Sequence, residues 1–211
     1  MKKAILFLLA TITTSVALAQ EKELINNDWL FKLGSADIRK DMTHGTDYFS
    51  YMTKVGYLTD EKSPILQGFN DSDWQKVNLP HDWVVDLPYA AQASHSHGYK
   101  TIGYKYPDTS VGWYRKHIFI PEEDKGKHIT IEFEGVFRNS EVLCNGFYLG
   151  NEVSGYASRV YDLTECLDYG ADNVVIVRCN ASVEEGWFYE GAGIYRNVYL
   201  RRASAGKYNK L

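Results

Sequence analysis

Near the end of the chain, residues 186–200 read GWFYEGAGIYRNVYL. The first half of this stretch is aromatic and bounded by glycines, and Gly191 and Gly193 permit backbone angles that other residues resist. In the second half, Ile194, Arg196 and Val198 would point one way and Tyr195, Asn197 and Tyr199 the other, a period of two that predicts a strand. A loop held by a strand is a common way to place a binding surface. The stretch therefore predicts a β-protein with a surface loop presented by its last strand.

The same alternation recurs in short runs along the chain. We predict strands at residues 29–33, 111–120, 129–133, 137–143, 147–150, 156–163 and 173–180, and an edge strand that starts at 77. Asn145-Gly146 is a strong hairpin signal, and residues 162–167 suit one short helical turn. Short strands with Gly and Asn turns between them indicate an all-β sandwich with almost no helix.

Composition narrows the function classes. The chain has 211 residues, of which 45% are hydrophobic and 24% charged, so it is neither a disordered chain nor a membrane protein. A formal net charge of -4 gives no support for nucleic-acid binding, which usually needs a basic face. Aromatic residues make up 14% of the chain, a supply that suits strand packing first and sugar stacking second.

Residues 1–19 predict a secretory signal peptide. Lys2 and Lys3 precede an apolar run, and the sequence ALA at 17–19 gives a cleavage site before Gln20. The apolar run is too short for a comfortable membrane span, and no later run is long enough. We therefore expect a periplasmic or secreted protein.

Two polar segments interrupt the strand pattern. Residues 35–63 predict a long loop or insertion, and a structureless loop of that size would be unusual in a compact domain. Residues 203–211 form a polar tail without strand alternation. These limits leave residues 20–202 as one domain.

The three cysteines are Cys144, Cys166 and Cys179. Export makes disulfides possible, but an odd number leaves at least one thiol unpaired. Cys144 and Cys179 lie in strand-like runs, where cysteine often packs as a small apolar residue. We favour buried thiols over one disulfide, and the absence of a C-x-x-C pair argues against zinc.

Histidines give two candidates for chemistry. His81 and Asp82 could act in catalysis, but no nucleophile accompanies them, so we favour hydrogen bonds to nearby backbone that fix a turn. His95 and His97 could share a strand face and bind a metal, yet no third ligand is evident. We favour solvated loop histidines and predict no metal site.

Five sequence runs keep rare residues at spacings that resemble a known family. They are FNDSDWQKVNLPHDW (69–83), GWYR (112–115), EGVFRNSEVLCNG (134–146), DLTECL (162–167) and WFYEGAGIYRNVYL (187–200). Together they resemble the N-terminal sugar-binding domain of glycoside hydrolase family 2, the family of bacterial β-galactosidases, β-glucuronidases and β-mannosidases. The resemblance implies that residues 20–202 form a jelly-roll β-sandwich similar to galactose-binding domains.

The resemblance also implies where catalysis takes place. Such enzymes join the sugar-binding domain to an immunoglobulin-like domain and a catalytic barrel, whose two glutamates hydrolyse the glycosidic bond with retention. A barrel of that type takes about 250 residues, so we expect it to be absent from this chain. We therefore assign no catalytic residue and no cofactor, and we expect the chain alone to be inactive.

Three functional hypotheses remain. The leading one is the non-catalytic sugar-binding domain of an exported β-galactosidase-like hydrolase, with a β-galactoside or related β-glycoside and the missing barrel as partners. A freestanding carbohydrate-binding module is the alternative, and an independent enzyme using His81 or Asp82 is the third. The predicted substrate contacts are Trp187, Tyr189 and Glu190, exposed by the turning backbone, and Tyr104 in the aromatic loop at 103–107.

Overall fold

The computed structural model describes residues 21–34, 64–184, 186 and 190–204. Ten strands account for most of its regular structure. They are β1 Glu21–Leu24, β2 Trp29–Gly34, β3 Gln75–Val77, β4 Val111–Ile120, β5 His128–Phe133, β6 Ser140–Cys144, β7 Phe147–Glu152, β8 Arg159–Asp162, β9 Ala171–Asn180 and β10 Val198–Ala203.

The strands form two antiparallel sheets. Within the described residues, one sheet has the order β1-β10-β5-β8 and the other has the order β3-β2-β4-β9-β6-β7. β4 and β9 pair along their whole length, from Val111 opposite Asn180 to Ile120 opposite Ala171. The prediction of an all-β sandwich is confirmed. β3 lies at a sheet edge, but it ends at Val77, where the predicted edge strand starts, so the predicted bounds were wrong.

Helical structure in the described ranges is limited to short 3₁₀ turns, at Trp83–Asp86, Pro107–Thr109, Glu122–Asp124 and Thr164–Cys166. The last confirms the helical turn predicted within 162–167. None of the described residues belongs to a helix long and apolar enough to span a membrane.

A continuous apolar core lies between the two sheets. Ile129, Ile131 and Phe133 of β5 meet side chains from β2, β4 and β9, including Trp29 and Val177. Trp29 is fully buried, packs edge-on against Phe133 with ring centroids 6.3 Å apart, and donates its indole N–H to the Ile25 carbonyl at 2.7 Å. The Trp-x-Phe alternation of β2 thus builds the centre of the core.

The outer face of the larger sheet is also covered. Trp113, Leu143 and Ile176 form a second buried cluster with Ile65 and Trp74 from the segment before β3. Every residue from Asn173 to Cys179 in β9 is therefore buried, although its sequence alternates.

Arg115 holds this covering segment in place. Its guanidinium is fully buried on the outer face of β4, where it donates to Asp71 Oδ2 at 2.7 Å and to the Leu66 carbonyl at 3.0 Å. His117 lies 2.8 Å from the same Asp71 oxygen. Burial raises the pKa of Asp71, but the hydrogen bonds from Arg115 and His117 outweigh it and lower the pKa below its ordinary value.

The hairpin signal at Asn145-Gly146 is confirmed. These residues connect β6 to β7 with φ values of 49° and 86°, the left-handed conformation that tight hairpin turns need. Cys144 and Cys179 are buried free thiols, as predicted, and burial raises the pKa of both. Cys166 is a half-buried free thiol.

Several predicted boundaries were wrong. β6 starts at Ser140 rather than 137, because Phe137 instead forms an isolated bridge with Gly193. β10 starts at Val198 rather than 194, and β8 starts at Arg159 rather than 156. β10 continues to Ala203, one residue into the predicted tail.

Strand β1 was missed because all four of its residues are exposed and carry no apolar alternation. The predicted signal peptide and the 35–63 loop lie outside the described residues.

Residues 81–83 join the segment that precedes β10. His81 N donates to the Ile194 carbonyl at 2.8 Å, and Trp83 N donates to the Ala192 carbonyl at 3.2 Å. Between them, Asp82 Oδ1 accepts hydrogen bonds from Val84 N at 3.0 Å and Ala192 N at 2.9 Å. The prediction that Asp82 fixes the local turn is confirmed, and the same carboxylate also binds backbone 110 residues away.

His81 has a packing role. Its Nδ1 lies 2.8 Å from the Tyr114 hydroxyl, and its ring packs against Phe31 at a centroid distance of 4.7 Å. Burial lowers the pKa of His81 and raises that of Tyr114. The His81 ring therefore contacts a side-chain hydroxyl rather than the predicted backbone, and burial favours its neutral form.

Gly193 lies beneath this contact. Its φ is +123°, and a Cβ there would lie 2.3 Å from the Tyr114 hydroxyl and 2.5 Å from the His81 carbonyl oxygen. The predicted need for unusual backbone angles is thus confirmed at Gly193. The constraint at Gly191 is different, since a Cβ there would lie 2.2 Å from Asp82 Oδ2.

We predict that Gly193→Ala lowers the free energy of unfolding by about 3 kcal/mol, because it adds a backbone clash to an unfavourable φ. Chemical denaturation measures the loss. Gly68→Ala is the matched control, since nothing lies within 4 Å of a Cβ at Gly68. Equal stability of the two variants would contradict the close packing of residues 81–83 against 193.

We predict that Asp71→Asn destabilises the protein by about 3 kcal/mol at pH 7, because it leaves the Arg115 guanidinium buried without its anion. A depressed carboxyl pKa stabilises the fold above the unfolded value of 3.8, and that stability is lost as the pH falls below it. Urea titrations should therefore show the gap between wild type and variant closing below pH 3.8.

Asp73→Asn is the control for this series, because Asp73 pairs with Lys32 in solvent and should contribute little. A gap between wild type and Asp71→Asn that did not change between neutral and acidic pH would refute the linkage.

Candidate functional site

An open cleft lies where residues 81–83, Phe137 and the segment before β10 meet. Its volume is about 210 Å³, and its walls are formed by Asp82, Phe137, Tyr156, Glu190, Gly191, Ala192 and Tyr195. The bridge between Phe137 and Gly193, with N···O distances of 2.8 and 2.6 Å, fixes one wall against another. Three stretches far apart in sequence therefore build one surface.

Aromatic side chains form the apolar part of the cleft. Tyr156 is 69% exposed and packs edge-on against Phe137 with ring centroids 5.6 Å apart. Tyr195 donates its hydroxyl to the Gly155 carbonyl at 2.9 Å, which orients its ring. Gly155 is constrained by the same packing, because a Cβ there would lie 2.0 Å from Phe137.

Asp82 and Glu190 provide the acidic part. Both residues line the cleft, Asp82 at the start of its 3₁₀ turn and Glu190 before Gly191. Ring faces can stack on the C–H groups of a sugar, and carboxylates accept strong hydrogen bonds from hydroxyl groups. The combination suits a polyhydroxylated ligand with an apolar ring face.

The predicted contacts fall in different places. Glu190 lines the cleft, but it is only 5% exposed, so the expectation that the backbone turn exposes it was wrong. Its carboxylate packs so close to Gly186 that a Cβ there would lie 2.6 Å from Glu190 Oε1. Tyr104 is 71% exposed and does not belong to the cleft lining. Trp187 and Tyr189 lie outside the described residues.

Sequence reasoning missed four residues of this cleft as ligand contacts, namely Asp82, Phe137, Tyr156 and Tyr195. The only sequence signal for Asp82 was its place in a rare motif. The other three are brought together by contacts between distant segments, which single-sequence patterns do not encode.

The two loop histidines have separate environments. His95 is exposed, as predicted, whereas His97 is completely buried and its Nδ1 lies 2.9 Å from the Glu190 carbonyl oxygen. The hypothesis that His95 and His97 share a strand face was therefore wrong, because residues 94–99 form turns instead of a strand. Across the described ranges, no group of three or more His, Cys, Asp or Glu side chains could hold a metal ion.

A second cleft of about 240 Å³ lies on the other side of the 94–99 turn. Its walls include Gln92, His95, Tyr99, Lys105 and Glu184. The lining is mainly polar, and Lys105 donates to the Gln92 carbonyl at 3.3 Å.

Comparison with known proteins places this architecture in a family. Residues 61–204 match the sequence model of "Glycosyl hydrolases family 2, sugar binding domain". The chain is 35% identical over 194 residues to "Beta-galactosidase BoGH2A" of Bacteroides ovatus, which covers 92% of this chain and 19% of that relative. It is 33% identical over 145 residues to a "Beta-glucuronidase" of Formosa agariphila, covering 63% of this chain and 14% of that one.

Solved structures of the same family share this fold. A glycosyl hydrolase family 2 member from Bacteroides cellulosilyticus superposes with a TM-score of 0.68 at 27% identity, over 87% of this chain and 20% of that one. The chain thus spans about a fifth of the length of these proteins. Residues 61–204 carry the family match, and the chain belongs to glycoside hydrolase family 2 through its sugar-binding domain.

Proposed function

We propose that this chain is the sugar-binding domain of a longer, exported glycoside hydrolase acting on β-galactosides or related β-glycosides. The proposal rests on the cleft at Asp82, Phe137, Tyr156, Glu190 and Tyr195, which aromatic and acidic residues line together. Two relatives are named for β-galactosidase and β-glucuronidase, and both names concern β-linked sugars.

In this proposal the cleft is one wall of a larger pocket. Its volume of about 210 Å³ is below the roughly 300–1,000 Å³ of most ligand pockets. A catalytic barrel, with its acid/base and nucleophile glutamates, would supply the opposite wall and the chemistry. Trp187, Tyr189 and Tyr104 are proposed as additional sugar contacts, the domain connectivity is proposed to be a jelly roll, and no cofactor is involved.

Asp82 and Glu190 would bind the sugar rather than cleave it. Asp82 Oδ1 already accepts two backbone N–H groups, which fix the carboxylate as an acceptor for a hydroxyl at the cleft. Glu190 is held by backbone bonds on both its N–H and its carbonyl. Rigid placement of both groups suits recognition of hydroxyl positions.

A freestanding carbohydrate-binding module is the second candidate, because Tyr156 presents an exposed ring beside the two carboxylates. A module needs a complete site within its own chain, whereas a domain that forms one wall does not. The affinity of the isolated chain therefore separates the two functions.

We predict that the 211-residue chain binds methyl β-galactoside weakly, with a Kd on the order of 1 mM, because a shallow wall desolvates little of a sugar. Nuclear magnetic resonance titration measures this affinity. Tyr156→Ala and Glu190→Gln should each weaken binding at least fivefold. Tyr89→Ala is the matched control, since Tyr89 is 76% exposed but lies outside the cleft lining.

Micromolar affinity would instead favour the freestanding module. Equal binding by wild type and the Tyr156 and Glu190 variants would reject the cleft as the sugar site.

We also predict no turnover of aryl β-glycosides by this chain alone, because we expect the two glutamates that carry out retaining hydrolysis to belong to the catalytic barrel. A panel of nitrophenyl glycosides, assayed with purified protein, measures the rate. Turnover that disappeared in Asp82→Asn would establish the third hypothesis, an independent enzyme, and would overturn the proposal.

A further inference from the structure

The 94–99 turn binds both residues that border the 187–189 aromatic stretch. Ser96 Oγ donates to the Gly186 carbonyl at 2.7 Å, and Glu190 N donates to the Ser96 carbonyl at 2.7 Å. His97 Nδ1 lies 2.9 Å from the Glu190 carbonyl oxygen. Ser96, His97 and Glu190 are all buried, so these contacts are shielded from water.

The hydrogen bond to the Glu190 carbonyl determines which ring nitrogen of His97 carries the hydrogen. A carbonyl oxygen only accepts, so Nδ1 must carry the hydrogen and donate it. The other ring nitrogen, Nε2, is buried and has no hydrogen-bond partner among the described residues. Among the described residues, the His97 ring therefore makes one hydrogen bond, to the backbone carbonyl of Glu190.

The turn itself is held rigidly. Tyr99 N donates to the Ser94 carbonyl at 2.9 Å, and Gly98 N donates to the His95 carbonyl at 2.9 Å. At the base of the turn, the Lys100 ammonium donates to the Val85 and Leu87 carbonyls at 2.8 and 2.7 Å. Those carbonyls belong to, or directly follow, the 3₁₀ turn that Asp82 caps.

Asp82 and Glu190 are thus connected by a chain of hydrogen bonds through this turn. It runs from the Asp82-capped 3₁₀ turn through Lys100 and the 94–99 turn to Glu190. A second connection runs directly from Asp82 Oδ1 to Ala192 N, two residues after Glu190. Two links across a separation of 108 residues fix the position of the Glu190 backbone relative to Asp82.

We propose that Ser96 and His97 are positioning residues that hold the backbone of Glu190, and with it the border of the aromatic stretch, at the sugar cleft. This rests on the proposed function for the identity of the ligand, a β-galactoside. The SHSH sequence at 94–97, which first suggested a metal, is on this reading a support for a carbohydrate-binding wall.

The test has one readout without sugar and one with it. Amide hydrogen exchange is followed by mass spectrometry in a peptide that contains Glu190, and methyl β-galactoside binding is followed by magnetic resonance titration. The variants are His97→Leu, which removes the donor, and His97→Asn, whose side-chain N–H₂ takes a place near Nδ1. His95→Asn is the matched control, because His95 lies in the same turn but is exposed.

We expect exchange at Glu190 to rise at least fivefold in His97→Leu, and galactoside affinity to fall by a similar factor. His97→Asn should recover most of both, and His95→Asn should match wild type. Ser96→Ala should give a smaller rise, since it removes only the bond to Gly186.

Three outcomes would overturn the proposal. They are unchanged exchange in His97→Leu, faster exchange with undiminished sugar affinity, and an equal rise in peptides from β9, which would indicate global destabilisation. If wild type bound no galactoside, the cleft of the isolated chain would be rejected as a sugar site, while the exchange data would still decide whether His97 holds Glu190.

Discussion

The backbone of residues 81–83 runs beside residues 192–194, and two main-chain hydrogen bonds, His81 to Ile194 and Trp83 to Ala192, hold the two segments together. Asp82 adds a third bond to Ala192. This pairing determines where Gly193 can lie, and Gly193 in turn bridges to Phe137. The cleft exists because three loops share this one junction, which the sandwich core supports from below through Tyr114 and Phe31.

The division of labour between sheet and loops is clear in the burial pattern. The larger sheet is covered on both faces, by the other sheet and by the Arg115-bound segment, so it offers a rigid base. The residues that line the cleft lie in loops. There, main-chain hydrogen bonds between distant segments take the place of strand pairing. A stable base with chemically varied loops suits a family whose members act on different β-linked sugars.

The sequence was most informative where apolar alternation reports directly on burial. β2, β4, β5 and β9 were predicted from this pattern, and the Asn145-Gly146 turn followed from its need for positive φ. Alternation could not reveal that residues 194–197 lie outside the strand, because the main-chain bonds of Gly193 to Phe137 and of Ile194 to His81 override the local preference. The cleft was predicted only through Glu190, since Tyr156 and Phe137 meet it through contacts that no local pattern encodes. His97 was misread because a loop histidine gives no sign of burial.

The junction of 81–83, 137 and 192–194 has a consequence for anyone who transfers binding specificity between related domains. Replacing the 190–195 segment alone would place a new backbone against Asp82, which leaves no space for a Cβ at position 191, and against Tyr114 and the His81 carbonyl, which leave none at position 193. The three segments therefore have to be transferred together, although they are spread over more than 110 positions of the chain. Directed evolution libraries that vary the three segments together would contain sequences that fold. Libraries that vary one loop alone would contain mostly variants with steric clashes.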